Sequence, residues 1–432
     1  MTDSGCQSCS DFYDRYDLSC YGFLPNRCLK SLPEKFAFLT PIANNLQTND
    51  GHFFRKLIDE LPTFEPHLYD VTQSSLEEIK FLYSLMSMVC HKYIWCLGPQ
   101  SIKTILPKSI GYIWHTCATR LGLPCVLTHA SVDLYNWSLI SDKNEFCLGN
   151  VKSNYTMTGS PSEEWFYLIM VAIEGRGGSC LKDLYEIDQY LLSCNNYMIR
   201  AIMRDVNQKL IDIAKITSKM YEKCDPVFFF NQLRQYLSGS DNPEYFPQGL
   251  QIEGMKDVTL KMIGGSAAQS SLIQAFDIFF SVCHEGHSKM FLDKMRDYMP
   301  QKHRDYLDDL SKQSLRLKDY IDKLDDSLEK SELQKLFNTC LMNLNHFRNA
   351  HIKLVHQYIS KFIKQEKKDN NQTVHGDKGT GGTDPNIFLT DVMRTTAKTK
   401  FHLESKNQKP FTWFDHLLVL IYVFFIYWLL ST

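Results

Sequence analysis

Residues 331–364 read SELQKLFNTCLMNLNHFRNAHIKLVHQYISKFIK, and their apolar side chains recur every three or four positions. This spacing predicts one long helix with a single buried face. His351 falls within that face, four residues after Phe347 and four before Val355, and Arg348 lies one turn earlier on the same side. A histidine at such a position is most often a hydrogen-bonded core residue. The alternative is a neutral imidazole that holds a metal or a haem iron.

A second helical segment, residues 225–237 (DPVFFFNQLRQYL), combines aromatic side chains with an arginine. The Asp-Pro pair that opens it predicts a capped helix start. Phe230 and Arg234 share one face of this helix, and Phe229 adjoins it. A buried arginine needs an anion, so a ligand with an aromatic body and a carboxylate would suit this face. The alternative is an arginine that extends past its own core contacts to water.

Small residues dominate the start of a third segment, residues 263–280 (IGGSAAQSSLIQAFDIFF). Ser266 can cap a helix there. The glycines and alanines would allow close approach of a flat group, or equally a tight contact between helices. Asp277 lies among large apolar residues and therefore needs a buried partner, for which Arg348 is a candidate.

Residues 365–386 (QEKKDNNQTVHGDKGTGGTDPN) are charged and rich in glycine, which predicts a mobile loop. The stretch GTGGT within it lacks the lysine of a phosphate-binding loop. It could serve as a lid over a site or as a plain linker.

The charge balance excludes one class of function. The chain has 432 residues, with 47 Lys and Arg against 49 Asp and Glu, a formal net charge of -2. Proteins that bind nucleic acid through its phosphates carry a clear basic excess, so we expect no nucleic-acid partner.

Helical periodicity along the chain predicts a mainly α fold with the following parts. We expect an irregular leader over residues 1–30, a small and mostly helical domain over 31–150, and a large helical domain over 151–403 that includes the mobile loop. A basic linker and tail follow over 404–432. The leader contains Cys6, Cys9, Cys20 and Cys28 of the 14 cysteines. A zinc site there is the alternative to a loosely packed segment, because only the first pair has CxxC spacing.

The tail ends in the apolar run LLVLIYVFFIYWLL, residues 417–430. With the preceding Trp413 to His416 it approaches the length that spans a bilayer, and lysines lie before it. This pattern predicts a tail anchor that places the rest of the chain on the cytosolic face of an intracellular membrane. The alternative is a C-terminal helix buried in the protein or bound to a partner.

Several of these stretches together resemble the indoleamine 2,3-dioxygenase family of haem enzymes. The likeness extends from about residue 32 to about residue 400. Its most specific pieces are PVFFFNQLRQYLSG (226–239), GGSAAQSS (264–271), MRDYMPQKHRDYL (295–307), RNAHIKLV (348–355) and KGTGGTD (378–384).

The resemblance implies a two-domain helical fold and a haem b cofactor with His351 as the proximal ligand of its iron. It implies that the residues near the substrate are Phe166, Phe229, Phe230, Arg234, Ser266 and Thr380. It further implies that the residues that support the haem, besides His351, are Ser266, Ala267, Asp277 and Arg348. The implied reaction inserts O2 across the indole C2–C3 bond of L-tryptophan, or of a related indole, and gives N-formylkynurenine. No acid or base side chain is expected to take part, and the protein is expected to act as a monomer.

Three positions depart from the pattern that the resemblance suggests. Met170 replaces an expected small polar residue, and His129 and Asp133 stand near an expected tyrosine and an apolar residue. The resemblance also extends to members that turn over weakly and to mollusc myoglobins. A protein that binds haem and O2 with little or no catalysis is therefore the alternative, although Phe229 and Arg234 favour an enzyme.

Overall fold

A computed structural model describes residues 7–62, 65–143, 145–313, 315–368 and 385–403 of the chain. Helices dominate these residues, which confirms the mainly α fold class. The first α-helices are α1 (Gln7–Tyr16), α2 (Thr40–Asn44), α3 (Gly51–Asp59), α4 (Pro66–Tyr69), α5 (Leu76–Trp95), α6 (Lys108–Leu121), α7 (Pro161–Gly178), α8 (Leu181–Leu192), α9 (Asn196–Ser218) and α10 (Met220–Lys223). The remaining ones are α11 (Pro226–Phe228), α12 (Arg234–Tyr236), α13 (Ser271–Phe279), α14 (Gly286–Arg296), α15 (Gln301–Ser311), α16 (Leu317–Lys323), α17 (Leu328–Val355), α18 (Lys361–Lys368) and α19 (Pro385–Lys398).

The described strands are short and form two small sheets. In the first, β1 (Ile105–Leu106) pairs in parallel with β4 (Leu250–Ile252), which pairs antiparallel with β5 (Thr259–Leu260). In the second, β2 (Trp137–Leu139) pairs antiparallel with β3 (Val151–Ser153). The domain boundary expected near residue 150 thus falls between two paired strands, and the division into two domains stays a prediction.

The long helix expected from the sequence is α17, which lies at the centre of the site. Ser327 caps its start by accepting a hydrogen bond from the Lys330 amide, 3.2 Å away. Its apolar face packs most extensively against α9, and α19 packs along it as well. After α17 the chain stays helical through a π-helical turn, His356–Ser360, and then α18.

The expected irregular leader contains a helix, α1, so that expectation was wrong for residues 7–16. Aromatic side chains one turn apart explain this helix, since Phe12 and Tyr16 both pack against Tyr306 of α15. The hydroxyl of Tyr16 also donates a hydrogen bond to Asp309, at 2.8 Å. Burial of this aromatic face stabilises a segment whose polar composition alone predicts a loop.

Both ends of the expected loop over residues 365–386 are helical where the structure describes them, in α18 and at the start of α19. The central residues, including Thr380, lie outside the described residues. The predicted anchor over residues 404–432 also lies outside them. Within the described part of the chain, no helix has both the length and the apolar character needed to span a bilayer.

Candidate functional site

A cavity lies between α17, α7, the turn after α11 and the segment that precedes α13. Its described lining is mostly apolar and aromatic, with a few polar groups. The lining includes eight of the residues that the sequence analysis named as site residues or as departures from the family pattern: His129, Asp133, Phe166, Met170, Phe229, Ser266, Ala267 and His351.

His351 borders the cavity from α17, flanked by Phe347, Leu354 and Val355 of the same helix. Burial lowers the pKa of its imidazole to about 4, so the ring is neutral at physiological pH. Among the described residues, neither of its ring nitrogens has a hydrogen-bond partner. A neutral, unengaged imidazole at a cavity wall is the state in which histidine binds iron. The interpretation as an ordinary hydrogen-bonded core histidine is therefore not favoured.

A buried ion pair fixes α17 one turn before His351. Arg348 Nη2 lies 2.6 and 2.7 Å from the two carboxylate oxygens of Asp277 on α13. This confirms that Arg348 is the partner that Asp277 needs. Burial alone would raise the pKa of Asp277, but the charge of Arg348 and a hydrogen bond from His284 hold it below its ordinary value. Neither Asp277 nor Arg348 is among the described residues that line the cavity, so their role toward a haem stays a prediction.

The same ion pair connects to α19 through groups that sequence reasoning missed. His284 places its two ring nitrogens 3.0 Å from Asp277 and 2.8 Å from the hydroxyl of Thr395. Arg348 also donates a hydrogen bond to the hydroxyl of Thr396. His284 thus belongs to a buried network that joins α13, α17 and α19. The sequence around His284 (CHEGH, residues 283–287) carries no information about Asp277 as a neighbour.

The aromatic wall of the cavity comes from three helical segments. The ring centroids of Phe166 on α7 and Phe229 lie 5.1 Å apart, and Tyr358 meets Phe229 edge-on at 5.6 Å. Phe229 belongs to a π-helical turn, Phe229–Leu233, that follows the predicted Asp-Pro start of α11. These rings form a surface on which a flat aromatic molecule can pack.

Phe230 and Arg234 lie beside this wall but are not among the described residues that line the cavity. Phe230 stacks on Phe362, with ring centroids 4.9 Å apart. Arg234 is only 2% exposed, and its guanidinium lies 5.2 Å from the centre of the Phe230 ring. Burial lowers the pKa of Arg234 to about 10, an effect that the nearby charge of Glu366 opposes. The sequence predicted an anion near Arg234, and in this structure Glu366 is such an anion.

The small residues serve two different purposes. Gly264 packs against another part of the backbone, since a Cβ atom on it would lie 2.2 Å from the carbonyl oxygen of Leu237. Ser266 and Ala267 instead border the cavity. Ser266 caps a short 3-10 turn, Ala267–Gln269, by accepting a hydrogen bond from the Ala268 amide at 3.3 Å. Tight backbone packing and room for a flat group therefore both occur in this segment.

The departures His129 and Asp133 border the same cavity as Met170. His129 Nδ1 lies 2.7 Å from Asp133, and its Nε2 lies 2.9 Å from Glu174 on α7. Burial alone would lower the pKa of His129, but the two carboxylates raise it to about 10. The spacing of His129 and Asp133 by four residues was visible in the sequence, whereas Glu174 is 45 residues away and gave no signal.

Two of the four leader cysteines can be assessed in the structure. Cys20 and Cys28 are free thiols, whereas Cys6 and the side chain of Cys9 lie outside the described part of the chain, so a zinc site there stays a prediction. In the part of the chain that the structure describes, no three His, Cys, Asp or Glu side chains are placed to share a metal ion.

Comparison with known proteins agrees with this arrangement. The sequence model of a family described as indoleamine 2,3-dioxygenase matches residues 13–399. The chain is 30% identical over 391 residues to "Indoleamine 2,3-dioxygenase 2" of Homo sapiens, which covers 88% of this chain and 93% of that protein. It is 27% identical over 386 residues to "Indoleamine 2,3-dioxygenase 1" of Rattus norvegicus, covering 87% and 92% of the two chains. It is also 27% identical over 380 residues to "Myoglobin" of Haliotis madaka, covering 87% and 91%. The chain belongs to the indoleamine 2,3-dioxygenase family.

Proposed function

We propose that the protein is a haem-dependent dioxygenase that converts tryptophan, or a related indole, to N-formylkynurenine. The observation that carries this proposal is a single cavity bordered by a neutral imidazole, His351, and by the aromatic pair Phe166 and Phe229. Family membership supports the same chemistry.

The residues present fit a haem. His351 offers an unengaged neutral imidazole, Ser266 and Ala267 leave room beside it, and the remaining lining is mostly apolar. None of the described residues that border the cavity is a cysteine, so the lining favours haem b, which needs no covalent attachment. Bound there, the haem would supply the iron chemistry that O2 requires before it reacts with an organic ring.

The chain itself contributes positioning. Phe166 and Phe229 would hold the flat indole against the aromatic wall and exclude water from it. Arg234 would bind the substrate carboxylate, which would compete with Glu366 for the guanidinium. Both ring nitrogens of His129 are engaged by carboxylates, so no acid or base role is assigned to it.

The experiment uses the full chain, loaded with haem and kept reduced, with L-tryptophan in air-saturated buffer. We expect oxygen uptake and the appearance of N-formylkynurenine. His351→Ala should lose the haem absorption band and the activity together. His346→Ala is the matched control, because His346 lies exposed on the same helix and does not border the cavity. A haem band that survives His351→Ala unchanged would refute the assignment of the ligand.

A second candidate function is reversible O2 binding without turnover. The cavity that the substrate would enter is bordered by the charged pair His129 and Asp133 and by Met170. The similarity to a protein named myoglobin points the same way. Reversible binding of O2 by the reduced protein, with no product from any indole tested, would favour this candidate over the dioxygenase.

We also propose that residues 404–432 anchor the protein to an intracellular membrane with the rest of the chain on the cytosolic side. The support is the apolar run 417–430 and the lysines before it. Deletion of residues 410–432 should move the protein from the membrane fraction to the soluble fraction of a cell lysate. Continued sedimentation with membranes would contradict this proposal.

A further inference from the structure

A buried cluster of charges lies at the cavity, which two of its three members border. It consists of His129, Asp133 and Glu174, which are 4%, 4% and 1% exposed. The imidazole donates one hydrogen bond to each carboxylate, at 2.7 Å to Asp133 and 2.9 Å to Glu174. The pKa of His129, about 10, makes the ring a cation at neutral pH. The single positive charge of His129 is therefore shared between the side chains of Asp133 and Glu174.

Two of the four carboxylate oxygens in this cluster accept no hydrogen bond from within it. Glu174 Oε1 accepts a second hydrogen bond from the hydroxyl of Ser270, at 2.5 Å. Asp133 Oδ1 and Glu174 Oε2 are buried and have no hydrogen-bond partner among the described residues. Of these two side chains only Asp133 borders the cavity. A buried carboxylate oxygen without a donor is costly, which predicts that a donor reaches it from within the cavity.

Several other polar side chains of the described lining already have hydrogen-bond partners within the protein. The hydroxyls of Thr217 and Tyr358 donate to backbone carbonyls, and Thr128 bonds with Tyr83. Met170 offers no strong acceptor at all. Besides the imidazole of His351, which the proposed function assigns to the iron, Asp133 is thus the residue of the described lining that offers a charged acceptor without a described donor.

We propose that Asp133 determines specificity by accepting, through Oδ1, a hydrogen bond from the ring N–H of the indole substrate. This inference rests on the proposed function, because it takes an indole as the occupant of the cavity. An indole ring has a single polar donor on an otherwise apolar body, which matches a charged acceptor on a lining that is otherwise mostly apolar and aromatic. A carboxylate only accepts hydrogen bonds, so an indole whose nitrogen carries a methyl group loses the interaction and buries the oxygen unpaired.

The test compares two ligands, L-tryptophan and the same amino acid methylated on the indole nitrogen. Their dissociation constants are measured by calorimetry with the full-length, haem-loaded ferric protein, so that no turnover is needed. The wild-type protein should prefer L-tryptophan by about tenfold to a hundredfold, the range for a hydrogen bond to a charged group. In Asp133→Val, which keeps the shape of the side chain but removes the acceptor, the preference should fall to within about threefold.

Glu174→Gln is the matched control. It disturbs the same buried imidazole but does not border the cavity, so it should keep the preference of the wild-type protein. Where Asp133→Val does not fold, Asp133→Asn takes its place, and its weaker neutral acceptor should lower the preference at least threefold. An equal preference in wild type and in either Asp133 variant would overturn the inference and leave an ordered water as the donor to Oδ1.

The outcome separates this inference from the proposed function. Turnover of L-tryptophan without any preference over the methylated ligand refutes the role of Asp133 alone. Selective binding without any turnover supports Asp133 and refutes the dioxygenase activity. If neither ligand binds, both fail.

Discussion

His91 links the cavity lining to α12, and its replacement by glutamine should change how the stability of the protein depends on pH. The ring lies on α5, where Nδ1 is 2.7 Å from the carbonyl oxygen of Tyr236 and Nε2 accepts a hydrogen bond from the Leu127 amide at 2.8 Å. Leu127 borders the cavity, and Tyr236 follows Arg234. Only the neutral ring with its proton on Nδ1 satisfies both contacts, because a protonated Nε2 would face another N–H.

The size of the effect follows from the pKa of His91, which burial lowers from 6.5 to about 4 against the opposing hydrogen bond to Tyr236. As the pH falls, His91 therefore becomes protonated at a higher pH in the unfolded chain than in the folded protein. The stability that the neutral ring provides is complete above pH 6.5 and is lost as the pH falls from 6.5 toward 4. Proton linkage gives a loss of about 2 kcal/mol in the free energy of unfolding between pH 7.5 and pH 5.

The assay is urea unfolding of the wild-type protein and of His91→Gln at several pH values across this range. Glutamine can donate to the Tyr236 carbonyl and accept from the Leu127 amide, but it does not titrate. The wild-type protein should lose about 2 kcal/mol more than the variant between pH 7.5 and pH 5. His303, whose pKa is also lowered to about 4, is present in both proteins, so its contribution cancels. Parallel pH dependences of the two proteins would refute the reasoning.

Three further predictions concern the walls and the supports of the cavity. Arg348→Met should lower the free energy of unfolding by about 3–5 kcal/mol because it leaves Asp277 buried without its cation, and the double variant with Asp277→Leu should recover most of the loss in a thermodynamic cycle. Gly264→Ala should destabilise by about 1–3 kcal/mol in urea unfolding, whereas Gly149→Ala, with no atom within 4 Å of the added carbon, should be near neutral. Ala267→Leu should lower the ratio of haem absorption to protein absorption, because the added carbon atoms would occupy cavity space that the haem needs. The melting temperature of the haem-free variant should stay within a few degrees of the wild-type value, and unchanged haem loading would contradict the placement of the haem beside Ala267.

The helical periodicity of the sequence was sufficient to predict the fold class and the central helix. The apolar ladder of residues 331–364 predicted α17 and the inward position of His351, because a buried helix face leaves a regular trace in the sequence. The pairing of Asp277 with Arg348 also followed, since a carboxylate among large apolar residues must find a cation. These features depend on local spacing and on the cost of burying charge, both of which a single sequence displays.

Contacts between distant segments could not be predicted in the same way. Nothing in the sequence near Glu174 indicates that it contacts His129, 45 residues earlier in the chain. The role of His284 likewise depends on its contacts with Asp277 and with Thr395 of α19, which the sequence does not indicate. Phe230 and Arg234 were expected on the helix face that contacts a ligand. That expectation assumed the 3.6-residue period of an α-helix, whereas residues Phe229–Leu233 form a π-helical turn with a longer period.

The irregular helical turns account for much of this difference and for the shape of the cavity. Three π-helical turns, Ala130–Leu134, Phe229–Leu233 and His356–Ser360, each place at least one residue on the cavity lining. A π turn adds one residue to the helical repeat and so rotates every following side chain relative to an α-helix. In this way Phe229 enters the wall of the cavity while Phe230 turns onto Phe362, and Asp133 faces the same space as His351. The backbone hydrogen bonds of a π turn are less favourable than those of an α-helix, and such turns are found mostly at functional sites. The presence of three around one cavity therefore indicates that they position the side chains that contact a ligand.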